Sequence, residues 1–168
     1  MARKEKVMEF RIRATGAVML EDELRRWAKD NGGPSWGQTT DEVLEALGAD
    51  VVFEGPQATG GTVYQFSMRQ GVEQIDGKWF TKHVLGPIFV DNEEATAAEQ
   101  EAAYKAQKDA EQSKAVRDDR NKRLADCDWT QVADAPVDKA AWAAHRQALR
   151  DVTAQEGFPW NVQWPESV

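Results

Sequence analysis

Several stretches of the first half of the chain show the two-residue period of half-buried strands. In residues 7–13 (VMEFRIR), apolar side chains occupy every second position from Met8 onward. Residues 50–56 read as a short strand that ends at a Gly-Pro pair, and residues 62–89 read as two or three further strands. Within that last segment, Asp76–Gly77 has the composition of a two-residue hairpin turn. The pattern predicts antiparallel strands.

Between these strands, apolar residues recur at helical spacing in two segments. The first segment ends at Gly32–Gly33, a pair typical of a helix stop. The second begins after Thr39, with Glu42 three residues later as in a capping box, and it ends at Gly48. We therefore predict that residues 1–90 form a small α+β domain, in which two helices accompany an antiparallel sheet.

Residues 91–126 change character sharply. They contain no glycine or proline and are dense in Ala, Glu, Gln, Lys and Arg, the residues with the highest helix propensity. Acidic residues crowd the start of the segment and basic residues its end, an order that complements the helix dipole. This segment is predicted to be one long helix.

One side of the predicted long helix carries small residues at heptad spacing. A second helix could pack closely there, so a homo-oligomer through the long helix is one interpretation. A solvated, alanine-rich helix is the other, because Arg117 and Arg120 interrupt the stripe. The members of the stripe are Ala103, Ala106, Ala110 and Ser113.

Residues 127–168 hold four of the seven tryptophans. A helix is predicted from about Pro136 to Val152, with Asp134 or Asp138 as its N-cap. The last dozen residues contain a glycine and two prolines, so they are predicted to run extended. The pattern therefore predicts a Trp-rich C-terminal region that is partly helical and partly extended.

Tryptophans this close to a chain end need a surface to cover, because termini fray unless packing holds them. The region has few aliphatic side chains and is not expected to fold without further packing. One interpretation is an intramolecular clasp, in which Trp129, Trp142 and Trp160 close over a short helical hairpin. In the other, at least one ring, Trp164 foremost, contacts a partner protein.

Charge and composition narrow the class of protein. The 168-residue chain has a formal net charge of −8 at pH 7, which disfavours general binding to nucleic acid or to anionic lipid. A single cysteine, Cys127, excludes an internal disulfide. The start of the chain lacks the apolar run of a signal peptide, and no stretch approaches the roughly 18 apolar residues of a membrane span. We expect a soluble protein with neither a nucleic-acid nor a membrane partner.

The sequence carries no recognisable catalytic, cofactor or metal motif. His83 and His145 lie far apart, and no Cys/His pattern has the spacing of a zinc site. The glycine-rich residues 55–61 lack the Gly-Lys-Ser/Thr of a phosphate-binding loop. No nucleophile elbow occurs, and Cys127 has no evident base beside it. We expect a protein that is not an enzyme and needs no cofactor or metal.

A set of short motifs follows in a fixed order through the C-terminal third. The set consists of Arg120, Arg123, Leu124, Asp128–Gln131 (DWTQ), Asp134, Trp142, Arg146–Arg150 (RQALR), Pro159–Trp160 and Trp164–Pro165. In this order and spacing they resemble the phage tail assembly chaperone domain, which is found at the C-terminus of many tail-fibre-associated proteins of tailed bacteriophages. His145 departs from the pattern, since a tyrosine commonly occupies that place.

The resemblance implies a role in the assembly of a phage tail or tail fibre in the host cytoplasm. We expect the C-terminal region to bind a tail or tail-fibre protein, with tryptophan rings forming the surface and arginines its polar edge. Trp and Arg are the residues most enriched at interaction hot spots. The candidate partner-binding residues are Trp129, Trp142, Arg146, Arg150, Trp160 and Trp164.

Two other readings stay open at this point. The protein could be a permanent component of the virion tail, tail fibre or baseplate, with several copies bundled through their long helices. It could also be an adhesion module that binds a host glycan through Trp36 or Trp79.

Overall fold

A computed structural model describes residues 8–168. Residues 1–7, which include Val7 of the first predicted strand, lie outside the described residues. The chain divides into two compact units, Met1–Pro87 and Ile88–Val168. The first unit contains a sheet and the second contains the long helix, which confirms the predicted α+β class. The long helix and the Trp-rich region, predicted as residues 91–126 and 127–168, belong to the same unit.

The described part of the first unit contains a five-stranded sheet and two helices. Its strands follow one another across the sheet in the order β2–β1–β3–β5–β4. The elements along the chain are β1 (Glu9–Ile12), β2 (Val18–Leu20), α1 (Glu21–Asp30), α2 (Asp41–Leu47), β3 (Ala49–Phe53), β4 (Phe66–Ile75) and β5 (Lys78–Gly86).

The sheet is mixed rather than purely antiparallel. Strands β3 and β5 run parallel, while the other neighbouring pairs are antiparallel. The parallel pair arises because the chain passes from β3 to the edge strand β4 and then returns through a hairpin to β5. The turn of that hairpin is Asp76–Gly77, as predicted, and both residues have the positive φ that such a turn requires.

The core of the first unit lies between the sheet and its two helices. Phe10 and Ile12 of β1 pack with Leu24 of α1 and with Leu44 of α2, and all four side chains are buried. Helix α2 is capped by Thr40 rather than by the predicted Thr39. The Thr40 hydroxyl accepts from the backbone of α2, whereas the Thr39 hydroxyl donates to a carboxylate of α1.

The second unit is built on two helices joined by a short 3-10 turn. It contains α3 (Ala97–Asp126), the 3-10 turn Asp128–Gln131, α4 (Lys139–Asp151) and a second 3-10 turn, Val152–Ala154. Residues 155–168 follow as turns and extended chain. Within residues 8–168, no helix combines the length and apolar character needed to span a membrane.

Both helices of this unit begin later than their composition predicts. Helix α3 starts after Thr96, which forms a capping box with Glu99, so the acidic residues before it lie in a loop. Helix α4 starts after Asp138, whose carboxylate accepts from the backbone amides of Ala140 and Ala141 in the first turn. Of the two predicted caps, Asp138 is therefore the one used, and Asp134 is not.

Candidate partner-binding surface

Arg146 of α4 ties the end of α3 to the following turn. Its Nη1 donates to the carbonyl oxygen of Leu124 at 2.8 Å and lies 3.0 Å from Cys127 Sγ, and its Nη2 donates to Asp128 Oδ1 at 2.7 Å. Only 9% of the side chain is exposed. Burial disfavours the charged form and by itself would lower the pKa of Arg146. The hydrogen bonds to Asp128 and Cys127 favour the charged form more strongly, so the pKa of Arg146 is raised. Arg146 was expected at the polar edge of an open surface, and it lies instead inside the unit.

The chain on both sides of Trp129 is fixed by side-chain hydrogen bonds. Thr130 is buried, and its hydroxyl donates to the carbonyl oxygen of Cys127 at 2.7 Å. Further along, Nζ of Lys139 donates to the carbonyl oxygen of Val132 at 2.9 Å. The backbone that carries Trp129 is therefore held at the end of α3 and again at the start of α4.

This fixed backbone carries two apolar side chains that are exposed to solvent. Trp129 is 53% exposed and Val132 is 52% exposed. Val132 directly follows the 3-10 turn, and its backbone amide donates to the carbonyl oxygen of Trp129 at 3.4 Å, so the two residues are neighbours along the chain and one turn apart. The Trp142 ring packs against that of Trp129 with centroids 6.1 Å apart. We call Trp129, Val132 and Trp142 the Trp129 surface.

The two terminal tryptophans have a different location, along α3. The indole Nε1 of Trp160 donates to Asp109 Oδ1 at 2.6 Å. The guanidinium of Arg123 lies 4.2 Å from the ring centroid of Trp164, within the range of a cation–π contact. Both rings are partly buried, and these contacts hold the last residues against the helix.

The chain reverses direction around Trp160, through turns at residues 156–160. The Gln155 side chain donates to the backbone oxygen of Gln163 and accepts from its backbone nitrogen, each at 2.8 Å. Inside the reversal, the amide of Asn161 donates to the carbonyl of Gly157 at 2.7 Å. A Cβ at position 157 would collide with that backbone. Glycine is therefore required at this turn.

The structure thus distributes the predicted partner-binding residues over four locations. Trp129 and Trp142 come together, Trp160 and Trp164 pack on α3, Arg146 is buried at the end of α3, and Arg150 is exposed on α4. Val132 was not singled out in the sequence, since only its exposure directly after the 3-10 turn gives it a role. Asp109 was not singled out either, because nothing in the sequence connects it with a ring 51 residues away.

The two tryptophans considered for glycan binding lie in the first unit and carry arginines on their rings. The Arg25 guanidinium is 4.8 Å from the Trp36 ring centroid, and that of Arg11 is 3.9 Å from the Trp79 centroid. A sugar stacking on either ring would compete with a guanidinium for the same face. No group of three or more His, Cys, Asp or Glu side chains in the described residues is arranged to hold a metal ion.

Comparison with known protein families shows that part of the chain matches the family described as phage tail assembly chaperone protein. It covers residues 113–167, from the second half of α3 through the Trp129 surface to the chain end. The resemblance seen in the C-terminal third of the sequence is therefore confirmed. No curated protein and no solved structure matches the chain.

Proposed function

We propose that this chain acts as a phage tail assembly chaperone, and that its Trp129 surface binds a tail or tail-fibre subunit in the host cytoplasm. The observation that carries the proposal is a half-exposed tryptophan beside a half-exposed valine, both inside the segment that matches the chaperone family. Exposed apolar groups of this size on a fixed backbone are typical of protein contact sites.

The rigidity of the backbone favours binding at this surface. Association costs free energy for every loop and side chain that must be ordered. Arg146 and Lys139 already hold the turn that carries Trp129, so that cost is reduced in advance. Arg146 therefore contributes to the proposed function as a positioning residue, without contacting the partner.

The size of the surface favours a reversible contact. A stable interface buries about 800 Å² on each partner, which is more than three side chains supply. The Trp129 surface would therefore act as the hot spot of a wider, more polar contact, to which the exposed Arg150 could contribute. Four acidic residues lie close to Trp129 and Val132 in the sequence and would give that contact a charged rim. They are Asp126, Asp128, Asp134 and Asp138.

This role requires binding and release but no chemical step. An assembly subunit exposes apolar interfaces before it is incorporated, and such surfaces aggregate when left open. A chaperone that covers one of them would keep the subunit soluble until assembly displaces it.

The test is co-expression of the chain with each tail and tail-fibre subunit of the phage genome that encodes it. We expect the soluble fraction of at least one subunit to rise, and that subunit to co-purify with the chain. If no subunit changes its solubility and none co-purifies, the proposed function is wrong.

A further inference from the structure

Helix α3 has a second face that is largely exposed. It lies about 100° around the helix from Val116, the buried residue of this helix. Its residues recur at alternating intervals of three and four, the spacing of a two-helix seam. This seam consists of Thr96, Glu99, Ala103, Ala106, Ala110, Ser113, Arg117 and Arg120. The three alanines in its middle are exposed.

The charges on the seam are separated along its length. Glu99 lies near its start, while Arg117 and Arg120 lie at its end. Hydrogen bonds from the backbone and hydroxyl of Thr96 lower the pKa of Glu99, which keeps its carboxylate charged. One end of the seam is therefore negative and the other is positive.

The seam arginines have no carboxylate partner among the described residues. Arg117 lies over the Phe158 ring at 5.1 Å, and Arg120 donates to Asn121. Other cations of the same helix do form ion pairs with carboxylates one turn away, namely Lys105, Lys108, Lys114 and Arg123. Arg117 is exposed and Arg120 is half-buried, so the basic end of the seam is available to an anionic partner.

We propose that two copies of the chain pair through this seam in an antiparallel arrangement, with the two-fold axis crossing the seam midway between Ala106 and Ala110. In that register Ala106 faces Ala110 of the second copy, and Ala103 faces its Ser113. Glu99 then faces Arg117 of the second copy, at both ends of the contact. The face complements itself in shape and in charge, as a symmetric dimer requires.

The charges also select the direction of pairing. A parallel dimer in register would set Glu99 against its own copy and Arg117 against its own copy, and both contacts are repulsive. The antiparallel dimer replaces these repulsions with attractions. Arg117 and Arg120, which interrupt the stripe of small residues in the sequence, therefore belong to the seam. They face the acidic end of the seam in the second copy.

The pairing should be weak and sensitive to salt. Small side chains allow the two helix axes to approach to about 8 Å, but they bury little apolar area. Exposed ion pairs lose strength as ionic strength rises. Dimers should therefore form at high protein concentration and low salt, and dissociate as salt is added.

Charge reversal followed by sedimentation of the full chain tests the proposal. We expect a reversible monomer–dimer equilibrium whose dissociation constant rises about tenfold or more in Glu99→Arg or in Arg117→Glu. The double variant carries both changes and should regain the dimer. Loss of the Glu99 capping box cannot explain that recovery, because the double variant lacks the box as well.

Lys122→Glu is the matched control, since it makes the same charge change on α3 outside the seam. Its dissociation constant should stay near that of the unchanged chain. A chain that is monomeric at every concentration, or a double variant that fails to recover, would overturn the proposal.

Cross-linking tests the direction of pairing. A mixture of Ala103→Cys and Ser113→Cys chains should form a disulfide-linked heterodimer, while Ala103→Cys alone should link poorly. The unchanged chain, whose Cys127 is buried, gives the background. Preferential linking of Ala103→Cys to itself would show a parallel dimer and contradict the antiparallel register.

Discussion

The indole nitrogen of Trp160 donates a 2.6 Å hydrogen bond to the carboxylate of Asp109, a residue 51 positions earlier in the chain. Charged hydrogen bonds of this kind are stronger than neutral ones. The bond fastens the C-terminal segment to the middle of α3, and the ring of Trp164 adds a second attachment under Arg123. The terminal tryptophans therefore hold their own chain end in place.

Removing the acceptor should release that end. We expect Asp109→Ala to lower the free energy of unfolding by about 1–2 kcal/mol, because the Trp160 N–H loses a charged partner. Hydrogen exchange of the amides in residues 155–168 should become faster. Asp118→Ala is the control, since it removes an exposed acid of the same helix and should cost less than about 0.5 kcal/mol. Unchanged exchange in residues 155–168 would show that the bond does not anchor the segment.

Two arginines one turn apart on α4 should respond very differently to truncation. Arg146→Ala should cost about 3 kcal/mol or more, because it leaves the Leu124 carbonyl and Asp128 without their donor and opens a cavity. Arg150→Ala, at an exposed position, should change stability by less than about 0.5 kcal/mol. Thermal or urea unfolding measures both. Equal effects would mean that the hydrogen bonds from Arg146 to Leu124 and Asp128 do not stabilise the unit.

The first unit should lose stability in acid through Glu21. Hydrogen bonds from Arg25 and from the Thr39 hydroxyl lower the pKa of this carboxyl below its ordinary value. Because the pKa is lower in the folded state, the contribution is complete above the unfolded value, about 4.3, and is lost as pH falls through the folded pKa. Trp36, whose indole donates to Thr39, should report the change by fluorescence.

Glu21→Gln separates this site from general acid unfolding. The variant should lack the step in Trp36 emission below pH about 4.3 while retaining any later global transition. A folded-state pKa of Glu21 at or above its ordinary value, measured by NMR titration, would refute the assignment.

The composition of purified particles distinguishes a chaperone from a permanent tail component. A chaperone leaves its client, so the chain should be abundant in infected lysate and absent or scarce in particles. Quantitative mass spectrometry against the major tail protein measures the ratio. A fixed stoichiometry in particles would instead make the protein a structural part of the virion.

Periodicity in the sequence predicted most local elements of the fold, but not β2, since Met19 and Leu20 of that strand were read as the start of the first helix. The alternation in β1, the hairpin turn at Asp76–Gly77 and the composition of α3 all predicted structures that form. The order of strands was not accessible in this way, since alternation gives the faces of a strand but not its neighbours. The parallel pairing of β3 with β5 depends on where the chain crosses the sheet.

The candidate surface was predictable only as a set of residue types. Arg146 and Arg150 cannot be distinguished in the sequence, but in the structure Arg146 is buried and Arg150 is exposed. Trp164 was expected to be the ring foremost at a partner, but it lies partly buried under Arg123. Trp129 is more open, although one side of its ring packs against Trp142 of α4.

The proposed binding of a tail or tail-fibre subunit by Trp129 is tested most directly by the soluble yield of that subunit on co-expression with the Trp129→Ala chain. Phe66→Ala is the matched control, since Phe66 in the first unit is 55% exposed and Trp129 is 53% exposed. We expect Trp129→Ala to reduce the yield and co-purification of the subunit severalfold with little change in Tm, while Phe66→Ala leaves both unchanged. Full yield with Trp129→Ala, or an equal loss with both variants, would contradict the claim.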